Sequence, residues 1–243
     1  MTNLDRGDLS AYLDAAIASV KSARNASPDG LVFVQRVNNC FQNICAKSFD
    51  SMPAFAATLC LHSHSMFLAG AFIALSGHSA AAYSIMRACL ESALYSLHIA
   101  KHPELAAVWA DRRQSREAQQ MCRENFSAGK VLATASVANP RLGAIVREVY
   151  EELIAFGAHP NAVGVLKNFQ VTEGPMGARL EMAYLHDEGA AKYEPLGAGM
   201  EVAIYAMAMI LAGFRDGAKN QALVAEVQAM INLGQHHSKP IEP

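Results

Sequence analysis

Apolar residues recur at helical spacing along most of the chain, and Pro, Gly and capping residues cut that pattern into segments. Leu9, Tyr12, Leu13, Ala16, Ile17 and Val20 mark one face of a first helix over about 9–25. Ser27-Pro28-Asp29-Gly30 reads as a turn, and Val34, Val37, Phe41 and Ile44 line a second helix over about 31–48. Asp50-Ser51-Met52-Pro53 is a cap followed by proline, which starts a third helix running to about Leu75. After Ser76-Gly77-His78, residues Ser79–Lys101 form a long helix that is apolar or small over most of its surface, as a helix buried on several sides must be. His102-Pro103 ends it. A more polar helix follows over about 104–127, anchored by Leu105 and Trp109, and Lys130–Val137 fits no single type. Asn139-Pro140 starts a helix over about 140–157 with Leu142, Ile145, Val146, Tyr150, Leu153 and Ile154 inward, and Asn161 caps a short turn through Val165.

The rhythm then changes from 3.6 to 2. Phe169–Thr172 and Ala178–Leu185 read as strands between turn residues, with Leu180, Met182 and Tyr184 on one face. The pattern predicts a small β-hairpin over about 168–193, extended to a third strand ending at Tyr193. Pro195-Leu196-Gly197 leads into an uncharged helix over about 199–217, and a last amphipathic helix spans about 219–234. The expected architecture is all-α: one domain over 1–243, a multi-helix bundle around the buried helix 79–101, with a β-hairpin insertion at 167–195 and a solvated tail at 236–243.

Composition agrees with many internal helix faces: 52% of the 243 residues are hydrophobic and 17% charged. The formal net charge of -2 supplies no basic field for DNA. No charged residue occurs from Ser51 to Met86, a run long enough to span a membrane. Its centre, Leu61-His62-Ser63-His64-Ser65-Met66, is too polar for lipid, and Arg87 and Glu91 follow on the next helix. The expectation is a buried helix of a soluble protein, with no membrane partner. Five cysteines, an odd number in helical contexts, and a polar opening stretch without a secretion pattern point to reduced thiols in the cytoplasm.

The central helix carries one polar stripe. Tyr83, Arg87, Glu91, Tyr95 and His98 fall on successive turns of one face. Such a stripe is either an internal network or the wall of a pocket. A buried Arg87–Glu91 pair is an internal strut, or its guanidinium faces a cavity and takes an anion. His159, in Tyr150-(x8)-His159-Pro160, sits past a helix C-terminus, where the dipole favours a cation or a capping role. Arg87, Glu91, Tyr95, His98, Tyr150 and His159 are therefore the candidate ligand-binding set, for a small anionic ligand. No metal is expected: His62 and His64 lie about 200° apart on a helix, Cys40 and Cys45 about 140° apart, and no Glu-x-x-His occurs. Arg112, Arg113, Arg116 and Arg123 share their segment with Glu104, Asp111, Glu117 and Glu124 and read as a solvated face. No P-loop, nucleophile elbow or dinucleotide fingerprint is present, and no cofactor is expected.

The order of these elements resembles a loosely defined group of bacterial helical proteins of unknown function, through Arg87-Ala-Cys-Leu-Glu91 on a long apolar helix, the Tyr150…His159-Pro160 segment, and the hairpin with its closing helices, over about 60–217. These look related to HEPN-like bundles. The resemblance implies a non-catalytic helical domain binding a small anion or nucleotide and forming a homodimer. Its ribonuclease branch uses an Arg and a later His on one helix. Here Arg179 and His186 have that spacing, but a strand reading puts them on opposite faces. A third expectation is a homo-oligomeric interaction module built on Met200, Met207 and Met209, because Met-lined surfaces adapt to partners.

Overall fold

Helix α4, Ser79–Lys101, is the element the others pack around: its buried positions lie on nearly every side, from Ala82, Met86, Cys89 and Leu90 to Leu94, Leu97 and Ile99. The computed structural model describes residues 8–26, 28–158, 162–166, 168–174, 177–182, 184–186, 190–216 and 220–237. In chain order these form α1 (Leu9–Ala26), α2 (Pro28–Ser51), α3 (Ala54–Leu75), α4, α5 (Leu105–Ala110), α6 (Arg116–Asn125), α7 (Ala128–Ala138) and α8 (Pro140–Leu153). A π-helical turn, Ile154–Ala158, then leads to α9 (Ala162–Leu166), β1 (Phe169–Gly174), β2 (Gly177–Met182), α10 (Ala190–Ala212) and α11 (Gln221–His237). The protein is an all-α bundle with one small antiparallel strand pair, in register from Phe169 opposite Met182 to Gly174 opposite Gly177.

α3, α4 and α10 pack against one another in the middle; α2 and α11 cover them on one side, α7 and α8 on the other. A single apolar cluster joins Val37, Phe41 and Ile44 of α2, Phe67 of α3, Leu90, Leu94 and Leu97 of α4, Leu132 of α7, Val146 of α8, Met207 and Ile210 of α10, and Met230 of α11. Burying such side chains contributes about 1.5–3 kcal/mol each. Two serines let α3 and α4 approach closely. Ser63 Oγ donates to Cys89 O at 2.8 Å and Ser96 Oγ to Ala56 O at 2.8 Å, so buried hydroxyls stitch the two backbones together at no cost in unpaired groups. Met86 fills the gap over Gly70 of α3 and Gly199 of α10, space that a Cβ at either glycine would occupy.

The turn between α3 and α4 ends one helix sharply. Gly77 has φ +92°, His78 N donates to Ile73 O and Gly77 N to Ala74 O, which is the paired hydrogen-bond pattern of a glycine-terminated helix. The segment after the hairpin closes over this turn, His186 N donating to Gly77 O at 3.0 Å, and a Cβ at Gly77 would meet His186 O.

Several expected boundaries change. Pro28 begins α2 instead of belonging to a turn, since proline's fixed φ suits the first helical position. The polar segment 104–127 is two helices, because Asp111 O and Oδ1 accept from Gln114 N and Nε2 and Ser115 caps a fresh start at Ala118 N. Residues 128–138 are helical. No third strand reaches Tyr193: α10 begins at Ala190 and runs through Pro195. Ala190, Ala191, Lys192 and Glu194 favour helix, and Leu196 is buried in a second cluster with Ala71, Ala74 and Ala82, which offsets the hydrogen bond the proline lacks. The expected tail lies outside the described residues from 238 on.

α3 (Ala54–Leu75) and residues Tyr193–Ala212 are each long and apolar enough to cross a membrane by length and composition; 39% and 67% of their apolar windows are buried inside the bundle. Of the three α10 methionines, Met207 and Met209 are fully buried in the core and Met200 is half-buried.

Candidate functional site

Arg87, Glu91 and Tyr150 come together at the contact of α4 and α8. Asn139 caps α8, its side chain accepting from Leu142 N, and Pro140 occupies the first turn. Leu142, Ile145, Val146 and Leu153 then turn Tyr150 inward. Arg87 Nε donates to Glu91 Oε1 at 2.8 Å, Arg87 Nη2 to the Tyr150 hydroxyl at 3.2 Å, and that hydroxyl to the same Glu91 oxygen at 3.0 Å. The guanidinium carbon lies 5.3 Å from the Tyr150 ring centre, within cation–π range. Burial and the Glu91 carboxylate raise the Tyr150 pKa, so the phenol stays a donor. Burial opposes the Arg87 charge, but Glu91 and Tyr150 outweigh it and its pKa is raised. The three side chains close one ring of hydrogen bonds.

The rest of the stripe goes elsewhere. The Tyr95 hydroxyl donates to Phe126 O at 3.0 Å, and the two rings lie 5.1 Å apart. His98 is buried between α6 and α7: Nε2 donates to Asn125 O at 3.1 Å, and Nδ1 lies 2.7 Å from Thr134 Oγ1. These two side chains hold the α6–α7 joint onto α4. Tyr83 stacks on Phe156 at 5.4 Å between ring centres. His159 lies outside the described residues. The π-helical turn that precedes it packs on the first turns of α4, where Ser84 Oγ donates to Gly157 O, and a Cβ at Gly157 would fall 2.8 Å from Ser84 N.

The α3 histidines point in different directions. His62 Nδ1 meets Ser92 Oγ of α4 at 2.8 Å, whereas His64 Nε2 donates to Asn38 Oδ1 of α2 at 2.9 Å. Among the described residues no three His, Cys, Asp or Glu side chains gather as a metal set. Arg179 lies on strand β2, and His186 beyond it bonds through Nε2 to Asn168 Oδ1 at 3.0 Å.

One arrangement has no counterpart in the expected set. Arg112 and Arg113 on the α5–α6 turn, with Arg123 on α6, line a groove of about 450 Å³ together with Gln119 and Ser127. Its floor is Tyr95, Cys122 and Phe126. All three arginines are exposed, and among the described residues none has a carboxylate within ion-pair distance. Ser127 precedes α7 and makes no capping bond with its hydroxyl. A polar groove with three fork-shaped cationic donors suits phosphate or carboxylate oxygens. The signal in the sequence was Ser115, whose cap breaks the helix and folds the Arg112-Arg113 pair back beside Arg123.

No protein-family model matches the chain, and neither curated proteins nor solved structures yield a match.

The closed triad predicts a measurable coupling. Arg87 and Glu91 keep side-chain exposures of 25% and 37%, so water softens their interaction. Arg87→Ala is expected to cost about 1 kcal/mol in urea unfolding. Combined with Tyr150→Phe, the double variant should depart from additivity by at least about 0.5 kcal/mol. Strict additivity would mean that the three groups do not act as one network.

Proposed function

We propose that this protein is a non-catalytic, cytoplasmic helical domain, of the HEPN-like kind its central helix resembles, which holds a small phosphate-bearing anion such as a nucleotide in the Arg112–Arg113–Arg123 groove. The observation that supports this is three neighbouring guanidinium groups around one groove, with no carboxylate among the described residues within ion-pair distance. Like charges held together without a partner repel, and an anion relieves that repulsion. The groove's volume of about 450 Å³ suits a ligand of mononucleotide size. Tyr95 belongs both to the polar stripe and to this groove, while Arg87 bonds through Nε to Glu91 and through Nη2 to Tyr150 and serves as a strut in this reading.

The test is thermal melting with inorganic pyrophosphate at constant ionic strength. At about 100 times its Kd, a ligand bound only by the folded state adds about 2.7 kcal/mol. For a chain of this size that is a rise of roughly 5–10 °C. Replacing Arg112, Arg113 and Arg123 together by Ala should abolish the rise, whereas Arg87→Ala should keep it. No rise in the parent protein, or an equal rise in the triple variant, rejects the groove as the site.

A further inference from the structure

α2 and α3 form a helical hairpin around Met52-Pro53, and two cysteines face each other across it. Cys45 lies six residues before the end of α2 and Cys60 six residues after the start of α3. Their sulfurs are 3.5 Å apart, and Cys45 Sγ also lies 3.8 Å from Cys60 O. Both are free thiols in the core; Cys45 keeps 6% exposure and Cys60 none. Ser48 Oγ donates to Cys45 O at 2.8 Å, so the backbone that presents Cys45 is held in place. We propose that Cys45 and Cys60 are a peroxide-responsive dithiol, which closes to an intramolecular disulfide across the α2–α3 hairpin.

The surroundings single out this pair. The thiol–thiol contact with Cys60 lowers the Cys45 pKa against the opposing effect of burial. The same contact, with burial, raises Cys60. Burial pushes Cys40 up to about 11 and Cys89 up to about 12, so those thiols stay protonated and slow. Hydrogen peroxide is neutral and scarcely larger than water, which suits a thiol with 6% exposure. In the first step the Cys45 thiolate attacks one peroxide oxygen, the O–O bond breaks, and hydroxide leaves to take up a proton as water; Cys45 becomes a sulfenic acid. In the second, Cys60 sulfur attacks Cys45 sulfur, the S–OH bond breaks, and the departing hydroxyl takes the Cys60 proton as water. Two thiols and one peroxide give one disulfide and two waters. Closure brings the sulfurs from 3.5 Å to about 2.05 Å, a movement of roughly 1.5 Å that side-chain rotation and a small helix shift can supply.

The experiment treats the folded, reduced full-length protein with hydrogen peroxide, then alkylates it under denaturing conditions and maps it by mass spectrometry. The expected result is that alkylatable thiols fall from five to three, with one disulfide joining the peptides of Cys45 and Cys60. In Cys60→Ser the first step should stop at a sulfenic acid on Cys45 that dimedone traps; in Cys45→Ser no sulfenic acid should form at Cys60. Five surviving thiols, a disulfide that uses Cys89 or joins two molecules, or dimedone labelling confined to other cysteines overturns the proposal. The mapping of the parent protein decides it even where a serine variant fails to fold.

Discussion

Phe67→Ala is expected to destabilise the protein by about 3–5 kcal/mol, the range for deleting a buried aromatic ring. For a chain of this size the melting temperature should fall by roughly 6–20 °C. Phe67 has no exposed surface, stacks on Phe41 of α2 at 6.2 Å between ring centres, and belongs to the main core cluster. Little can relax into the space, because Ser63 and Ser96 hold α3 and α4 at a fixed separation. Phe72, five residues on and about 140° around the same helix, is 56% exposed. Phe72→Ala should change stability by no more than about 0.5 kcal/mol. The contrast tests which medium α3 faces. Its outer face also carries Leu61 and Leu68, each partly exposed, and no charge. Should Phe72→Ala cost as much as Phe67→Ala, α3 is covered on both sides, by lipid or by a second chain. Repeating the melts with detergent and at several protein concentrations separates those two.

How far the sequence carries depends on where the partner of each group comes from. α4 was legible to the residue because Gly77 and His102-Pro103 are strong local stops, and stops act through the backbone of the segment that contains them. α10 was not. Pro195 is a local signal for a helix start, but the burial of Leu196 against Ala71, Ala74 and Ala82 is a tertiary effect, and it carries the helix through the proline. The Arg87–Glu91 pair was legible because i,i+4 spacing places both ends on one face. Tyr150 joins it from another helix through an inward face that periodicity also marks. Tyr95 and His98 were grouped with that pair on spacing alone, yet they bond to Phe126 O and Asn125 O. Backbone carbonyls have no sequence signature, so the division of the stripe into a triad and a clamp could not be read in advance. The arginine groove was hidden for a related reason. Net charge over residues 103–130 is only +1, but the turn at Asp111–Ser115 brings Arg112 and Arg113 to the same groove as Arg123.

His98→Leu should cost about 1–3 kcal/mol, because it strips a half-buried carbonyl, Asn125 O, of its donor and leaves Thr134 Oγ1 with only the 3.2 Å contact to Lys130 O. The same residue gives the stability a pH dependence of definite sign. Asn125 O can only accept, so Nε2 carries a proton and, in the neutral ring, Nδ1 accepts from Thr134. A charged ring could still be hydrogen-bonded, with Nδ1 donating to Thr134 and the hydroxyl turned to Lys130 O. The opposition to charge comes first from burial, then from repulsion by His102 and Lys130; the Asn125 carbonyl and Glu104 act the other way and lose. The folded-state pKa therefore lies below the unfolded value of about 6.5. Between the two, the unfolded chain binds more protons, so stability rises with pH across that window. The contribution is complete above about pH 6.5 and is lost as pH falls through the folded pKa. Burial lowers His64 and His78 as well, so all three act with the same sign. Urea unfolding between neutral and mildly acidic pH should show the protein weakening as acid is added, and in His98→Leu that slope should be shallower although the variant is less stable throughout. An unchanged slope would place the pH response entirely in other groups, and a variant as stable as the parent would mean that the α6–α7 joint does not depend on this clamp.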